Sequence, residues 1–375
     1  MEFCLLKRKA TSRAAVCTGG QAPWNFAYSN GRLYFSSRFV LDAEYMSAVC
    51  KLFRIDSDGT NLTHLTGYSP ALPTLDERIV TSVIDIQVTD DGNIWILESL
   101  YGIRVDIPDD FIGSIRDLHD YWEHLDSQTK LRKLDNTGAE IRYIDLLSLL
   151  GNDYQIRSFA LDFEGNIYIY AASPLDSGIY ALNNDGAVAF NLDIFGWDNM
   201  LLHMQDGSVS VAGQTDTQPA LSLTEINFSS ETWGASMPLP TGTIRVFPSD
   251  GEFEALTSDG INLFGLNMDD GKAVALLNWM YSDIDFYSTS FVTVLPDGRI
   301  ICFENTFLPG GSRTDIAVFT KTHYTDLAKR TELTLATFLL SHDIQTAVRL
   351  FNRSNHAYRV QIIEYFDPVS GDFYA

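Results

Sequence analysis

At 375 residues the chain is longer than one ordinary domain, and 26 Lys and Arg against 49 Asp and Glu leave it with a formal charge of −23. So acidic a chain argues against binding the phosphates of nucleic acid or anionic lipid, which need clustered Lys and Arg, and favours a neutral or cationic partner. Hydrophobic residues make up 45%, enough for a sizeable core, yet no run approaches the ~20 apolar residues of a membrane span.

The opening Met1-Glu-Phe-Cys-Leu-Leu-Lys-Arg-Lys9 lacks the apolar segment of a signal peptide, which on its face makes the chain cytoplasmic. Cys4, Cys17, Cys50 and Cys302 show no C-x-x-C spacing, so neither a zinc nor a redox motif is expected; a Cys17–Cys50 disulfide stays open. Six times thereafter a short alternating apolar stretch enters a tight Gly turn and leaves as a second such stretch. Asn30-Gly31 centres the first copy, and Ile84-Asp-Ile-Gln-Val-Thr-Asp-Asp91-Gly92-Asn-Ile-Trp-Ile-Leu97 is the clearest. Phe159–Tyr170 follows, turning at Glu164-Gly165, and then the turns at Asp206-Gly207, Asp259-Gly260 and Asp297-Gly298. Alternation on both sides of an Asp-Gly or Asn-Gly pair is a strong hairpin signal, because these residues accept positive φ.

Behind the inner hairpins come further strand–turn–strand units at Lys51–Gly59, Lys130–Gly138 and Ile179–Gly186. Each repeat therefore reads as four antiparallel strands, A to D, and their recurrence predicts an all-β fold: a β-propeller of six to seven four-stranded blades over residues 1–328. The A–B and C–D turns fall on one face and are tight. The B–C and D–A connections fall on the other and read as long loops, including 37–49, 99–129, 192–199, 279–289 and 305–314. Binding residues concentrate on such loops. Within the largest insertion, Phe111, Ile112, Ile115, Leu118, Tyr121 and Trp122 repeat at helical spacing and predict a short amphipathic helix. Val246–Trp279 holds three Gly turns and leaves the strands of blade five ambiguous, and blade six shows three strands. Glu2–Arg8 can supply the fourth.

The chain has no P-loop, dinucleotide fingerprint, H-E-x-x-H or G-x-S-x-G motif, and no cofactor is expected. Asp120 and His124 share a helix face as two metal ligands would, but a solvated polar face is the simpler reading. Asp56-Ser-Asp58-Gly59-Thr-Asn61 opens like a calcium loop. The twelfth position is Gly67 rather than Glu, so an Asp-rich turn without a metal is expected. Glycoside chemistry needs two carboxylates about 5–9 Å apart; Asp283 and Asp285, flanked by Tyr281, Phe286 and Tyr287, are one such pair, and Asp109 and Asp110 another. Flat rings on loops also stack on sugars or grip peptides. The candidate ligand-binding residues are therefore Tyr101, Tyr121, Trp122, Trp197, Tyr281, Asp283, Asp285 and Tyr287, with packing between blades as the competing use of the aromatics.

From about Lys329 the texture changes. Glu332–Phe338 reads as a strand, and Ser341–Asn352 as a helix with Ser341 at its N-cap. Ile344, Ala347, Val348 and Phe351 lie at helical spacing, and Tyr358–Tyr365 alternates as a second strand. Residues 329–375 are thus a β–α–β unit that cannot cover its own apolar faces.

Leu333-Thr-Leu-Ala-Thr-Phe, the helix ending Phe351-Asn-Arg-Ser-Asn355, and Tyr358-Arg-Val resemble the first β–α–β of the extracellular solute-binding proteins that serve ABC importers. A gut-bacterial subset, in which a similar propeller precedes the binding domain, has counterparts of Asp259-Gly-Ile-Asn-Leu-Phe-Gly-Leu-Asn267, Asp270-Gly-Lys272 and Leu277-Asn-Trp279. The resemblance implies a cell-surface or extracellular place, and a non-catalytic propeller module that binds sugar, peptide or a cell-surface protein in nutrient uptake. A polysaccharide hydrolase or lyase and a protein-interaction scaffold are the rival expectations. The legible sequence departs from the family in lacking the signal peptide, and none of the family's ligand residues can be carried over.

Overall fold

The structure, a computed structural model, describes residues 6–9, 23–42, 47–70, 79–103, 125–218, 220–267, 271–308, 311–321, 330–337, 341–355 and 357–364. It begins with β1 (Leu6–Lys9). The first blade is β2 (Trp24–Ser29), β3 (Arg32–Asp42), β4 (Ser47–Asp56) and the short β5 (Thr63–His64). The second is β6 (Ile79–Val88), β7 (Ile94–Ile103), β8 (Leu125–Leu134) and β9 (Glu140–Asp145), after which a five-residue helix, α1 (Leu146–Leu150), is capped by Asp145.

Then come β10 (Gln155–Leu161), β11 (Ile167–Ala172), β12 (Ser177–Leu182) and β13 (Val188–His203). β13 serves twice: Val188–Asp193 edge the third blade by pairing with β12, and Ile194, Phe195 and Met200–His203 pair with β14 as the first strand of the fourth. β14 (Val209–Thr215), β15 (Ser222–Asn227) and β16 (Thr232–Pro238) complete that blade. The fifth is β17 (Arg245–Pro248), β18 (Ala255–Ser258), β19 (Asn262–Asn267) and β20 (Lys272–Asn278). The sixth is β21 (Thr289–Val294), β22 (Ile300–Leu308) and β23 (Gly311–Lys321), with β1 paired to β23 as its fourth strand. The fold is a β-propeller, whose described strands make six four-stranded blades, followed by β24 (Thr331–Thr337), α2 (His342–Ser354) and β25 (Tyr358–Glu364), in which the two strands pair in parallel.

By contacts the chain divides into two compact units: residues 12–239 with 306–315, and residues 1–11, 240–305 and 316–375. The β–α–β unit therefore belongs with blades five and six. Within each unit the core lies between successive blades. Leu97, Leu131, Phe159, Ile167 and Ile169 fill one such layer, and Leu256, Leu263, Trp279, Val292 and Phe319 another.

Most turns differ in kind from the expected two-residue turn. Among the described residues only Asn30-Gly31 has both central φ values positive (51° and 77°), with Ser29 opposite Arg32, as a type I′ turn requires. At most other turns, Asp162–Asn166 among them, the Gly sits one place later. Gly165 N–H donates to Asp162 O at 3.1 Å, Asp162 N–H to Asn166 O at 3.1 Å, and Gly165 takes φ 84°. The Asp162 carboxylate accepts from the amides of Glu164 and Asn166, fixing a type I turn with a Gly bulge. Asp135–Ala139 repeats this bond pattern.

Several expected loops are strands instead. β3 and β4 extend through most of 37–49, β13 runs through 192–199, and β22 and β23 occupy nearly all of 305–314. The longer arms keep pairing, as Val40 opposite Ala48 shows, so the backbone groups there are satisfied in a ladder. In blade five, Asp259-Gly260 joins the second strand to the third rather than the first to the second. The insertion helix expected at 111–122, with Asp109, Asp110, Asp120 and His124, lies outside the described residues. Cys50 is a buried free thiol, so the Cys17–Cys50 disulfide is not made.

Neighbouring blades present first strands that do not share a ladder, and polar side chains bridge them. Gln87 Nε2 donates to Phe159 O (2.9 Å) while its Oε1 accepts from Leu161 N–H (3.1 Å), and Asp85 Oδ2 accepts from Phe159 N–H (3.2 Å). His203 Nδ1 meets Leu161 O at 2.7 Å on the next first strand. In the other unit Arg245 Nη1 donates to Thr289 O at 2.6 Å.

Candidate functional site

The expected site residues that come together do so in the connection between blades five and six. After β20 the chain makes one helical turn. Ser282 N–H donates to Asn278 O, Asp283 N–H to Met280 O (3.1 Å), and Ile284 N–H to Trp279 O (3.0 Å). That pair of closing bonds needs a residue with positive φ, and Asp283 supplies it at 58°. Trp279, 1% exposed, anchors the turn by donating from its indole to Ser258 Oγ at 2.9 Å.

Beyond the turn, Asp285 folds over its own backbone. Its Oδ1 accepts from Tyr287 N–H (3.0 Å), its Oδ2 from Ser288 Oγ (2.8 Å), and its amide donates to Glu304 Oε1 at 3.3 Å. Glu304 stands opposite Thr289 on β22 and is fully buried. An ionised carboxylate there demands a cation. Arg349 of α2 provides it, with Nη1 2.7 Å from Glu304 Oε1 and 3.2 Å from Asp285 Oδ2.

A second arginine docks on the helical turn. Arg359 of β25 donates from Nη2 to Met280 O (3.3 Å), to Tyr281 O and to Asp283 Oδ1 (3.0 Å), with its guanidinium 5.7 Å from the Tyr281 ring centre. Gln361 bonds the Tyr281 hydroxyl. Burial and the nearby Glu332 charge raise the Tyr281 pKa, against Arg359 and Gln361.

Tyr281, Asp283 and Asp285 are thus gathered, but each is bonded to the β–α–β unit, and the two aspartates answer to different arginines. Tyr287 is 70% exposed, its ring edge-on to Phe286 at 5.2 Å. Tyr101 lies on β7 with its backbone opposite Val80 and Ser127, and Trp197 lies in β13 where its pairing to β14 is interrupted. Tyr121 and Trp122 are outside the described residues. Sequence reading missed Glu304, Arg349 and Arg359. A signal for Glu304 existed: it is the lone charge in Ile300-Ile-Cys-Phe-Glu304, an otherwise apolar run.

A cleft of about 450 Å³ at the opposite, tight-turn end of blade six is lined by Glu252, Leu295–Arg299 and Thr320. Its Arg299 and Asp297 pair with each other at 2.7 Å. Among the described residues no three His, Cys, Asp or Glu gather as metal ligands, and no helix is long and apolar enough to cross a membrane.

No protein-family model and no curated protein matches the chain. Among solved structures it aligns with a protein of unknown function from Dyadobacter fermentans at 12% identity and TM-score 0.53, covering 85% of this chain and all of that one. It also aligns with virginiamycin B lyase from Staphylococcus aureus (11% identity, TM-score 0.43, 83% and 87% covered). A third is Trypanosoma rangeli sialidase (11%, TM-score 0.46), where 84% of this chain spans 57% of that one. Likeness at these identities is one of fold. It nevertheless corrects the expectation of a non-catalytic uptake module, because the solved structures aligned with the chain include a lyase and a sialidase, so a propeller gives no ground for ruling out an enzyme.

Proposed function

We propose that the chain is an interaction scaffold whose last blade carries the opening β–α–β of a parallel α/β body, of the extracellular solute-binding kind its sequence resembles. The surface of that unit supports the reading. In α2 the apolar Ile344, Leu350 and Phe351 are 36–57% exposed, while Arg349 and Asn352 take buried positions. Leu333 and Tyr358 of the strands are also exposed. Parallel strands are ordinarily covered on both faces, and a pair alone is not self-supporting. The occupant we infer is a protein body of α/β build at the cell surface. A photo-crosslinker at Phe351 tests this against the envelope of a producing cell. The expected product joins one defined partner to residues 331–364 and disappears in Leu350→Ser. A crosslink pattern unchanged by that substitution would overturn the reading.

One observation favours a second reading, a polysaccharide hydrolase or lyase. Asp285 Oδ2 and Glu304 Oε1 share one guanidinium nitrogen and so lie no more than about 6 Å apart, near the spacing of carboxylate-pair glycosidases. Both carboxylates are enclosed under Arg349, so α2 has to move first. Turnover of a polysaccharide that vanishes in Asp285→Asn and Glu304→Gln supports the enzyme; no turnover by the wild type across a polysaccharide panel ends it.

A further inference from the structure

The contact between the β–α–β unit and the last blades is unusual in what it leaves out. The apolar residues of α2 mostly face away, and what meets the blade is charge. Two separate seats hold it. In the first, Asp285 and Glu304, 5% and 0% exposed, converge on Arg349 Nη1, and the arginine is itself 7% exposed. Arg349 Nε is buried and has no partner among the described residues, so this seat engages only one end of the guanidinium. In the second, the Met280 and Tyr281 carbonyls at the end of a helical turn, the Asp283 carboxylate and the Tyr281 ring surround Arg359.

These seats share a chemistry. A guanidinium is planar, offers several donors in a fixed fork, is weakly hydrated and stacks on an aromatic face. An ammonium is a compact, strongly hydrated charge that gives up more hydration than a guanidinium to reach a carboxylate, carbonyls and a ring in a half-buried seat.

We propose that the Trp279–Thr289 loop with Glu304 is a receptor for guanidinium groups, occupied in cis by Arg349 and Arg359. A guanidinium-bearing ligand or an arginine of another polypeptide fits the same seats once the resident arginine is absent. This holds whether or not the scaffold reading does.

Chemical rescue tests it. Arg359→Ala empties the more accessible seat, and guanidinium chloride is added at 5–50 mM, as order-of-magnitude probe concentrations, beside equal methylammonium and sodium chloride. Guanidinium is expected to raise the melting temperature of the variant by about 2–4 °C once well above its dissociation constant. It should also restore hydrogen-exchange protection to the amides of Asp283 and Ile284, which close the turn. Methylammonium is expected to do neither, and the wild type to respond to neither salt. Should Arg359→Ala not fold, Arg359→Met keeps the apolar stem, removes the charge and supports the same comparison. Equal responses to guanidinium and methylammonium, or an equal response of the wild type, would overturn the proposal.

Discussion

Asp85 sits half-buried on β6, the first strand of blade two, its Oδ2 accepting from Phe159 N–H at 3.2 Å and its Oδ1 from Ile86 N–H at 2.8 Å. Burial pushes its pKa up to about 7, against the pull of those two amides. An acid whose folded pKa is raised binds its proton more tightly folded than unfolded. Its contribution to stability is therefore complete below the unfolded value near 3.8 and is lost as pH rises through about 7. The whole span is bounded at about 4 kcal/mol, of which about 2 kcal/mol falls between pH 5.5 and 8. Urea denaturation of the wild type and Asp85→Asn at both pH values isolates it. The wild type should lose about 2 kcal/mol more than the variant on going to pH 8. Hydrogen exchange at the Phe159 amide, which donates to this carboxylate, should follow the same profile. Parallel pH profiles for the two proteins would refute the reasoning, since every other titrating group is common to both.

Arg132 is 7% exposed and bonds Glu98 (2.8 Å), Glu140 (2.6 Å) and Ser69 O, while Tyr68 also bonds Glu98. Arg132→Met strands the buried Glu98 charge and should cost about 3–5 kcal/mol in urea, with much of that recovered in Glu98→Gln/Arg132→Met. Gly92 and Gly207 have nearly equal φ (80° and 81°), but a Cβ at 92 meets nothing within 4 Å and at 207 meets Phe163 Cβ at 2.7 Å. Both changes to Ala should therefore destabilise by about 1 kcal/mol or more, Gly207→Ala distinctly further, as read from melting temperatures. Cys50 is buried with its thiol pKa raised chiefly by burial, and it should resist alkylation in the native protein at pH 8 yet react in urea.

Turn chemistry is local, which is why the blades were legible. Asp162 and Gly165 carry a complete hairpin within five residues, whereas the three Gly turns of Val246–Trp279 do not say which strands they join. Arm lengths are a different matter: whether 37–49 is loop or ladder depends on pairing across the hairpin, and Arg38 opposite Cys50 is not written in either residue. The charged seats were less legible still. Glu304 and Arg349 are 45 positions apart and each looks ordinary alone. The periodicity of Ile344, Ala347, Val348 and Phe351 correctly marked a helix, but only Val348 of the four is buried. Arg349 and Asn352 took the inward positions because their partners, two carboxylates and the Val360 backbone, outweigh the cost of burial.

The pairing of Leu6 with Lys321 has a consequence in time. On the ribosome, β1 is made first and its partner some three hundred residues later, so at about 5–20 residues per second this strand waits about 15–60 s with no neighbour. Throughout that interval β23's eventual edge partner is a free segment of Leu, Lys and Arg. Its three cations in four positions, Lys7, Arg8 and Lys9, are residues that discourage edge-to-edge association of nascent strands. Sealing of the sixth blade thereby waits until β23 has been made, and a chain stalled before Gly311 has to hold five blades without it.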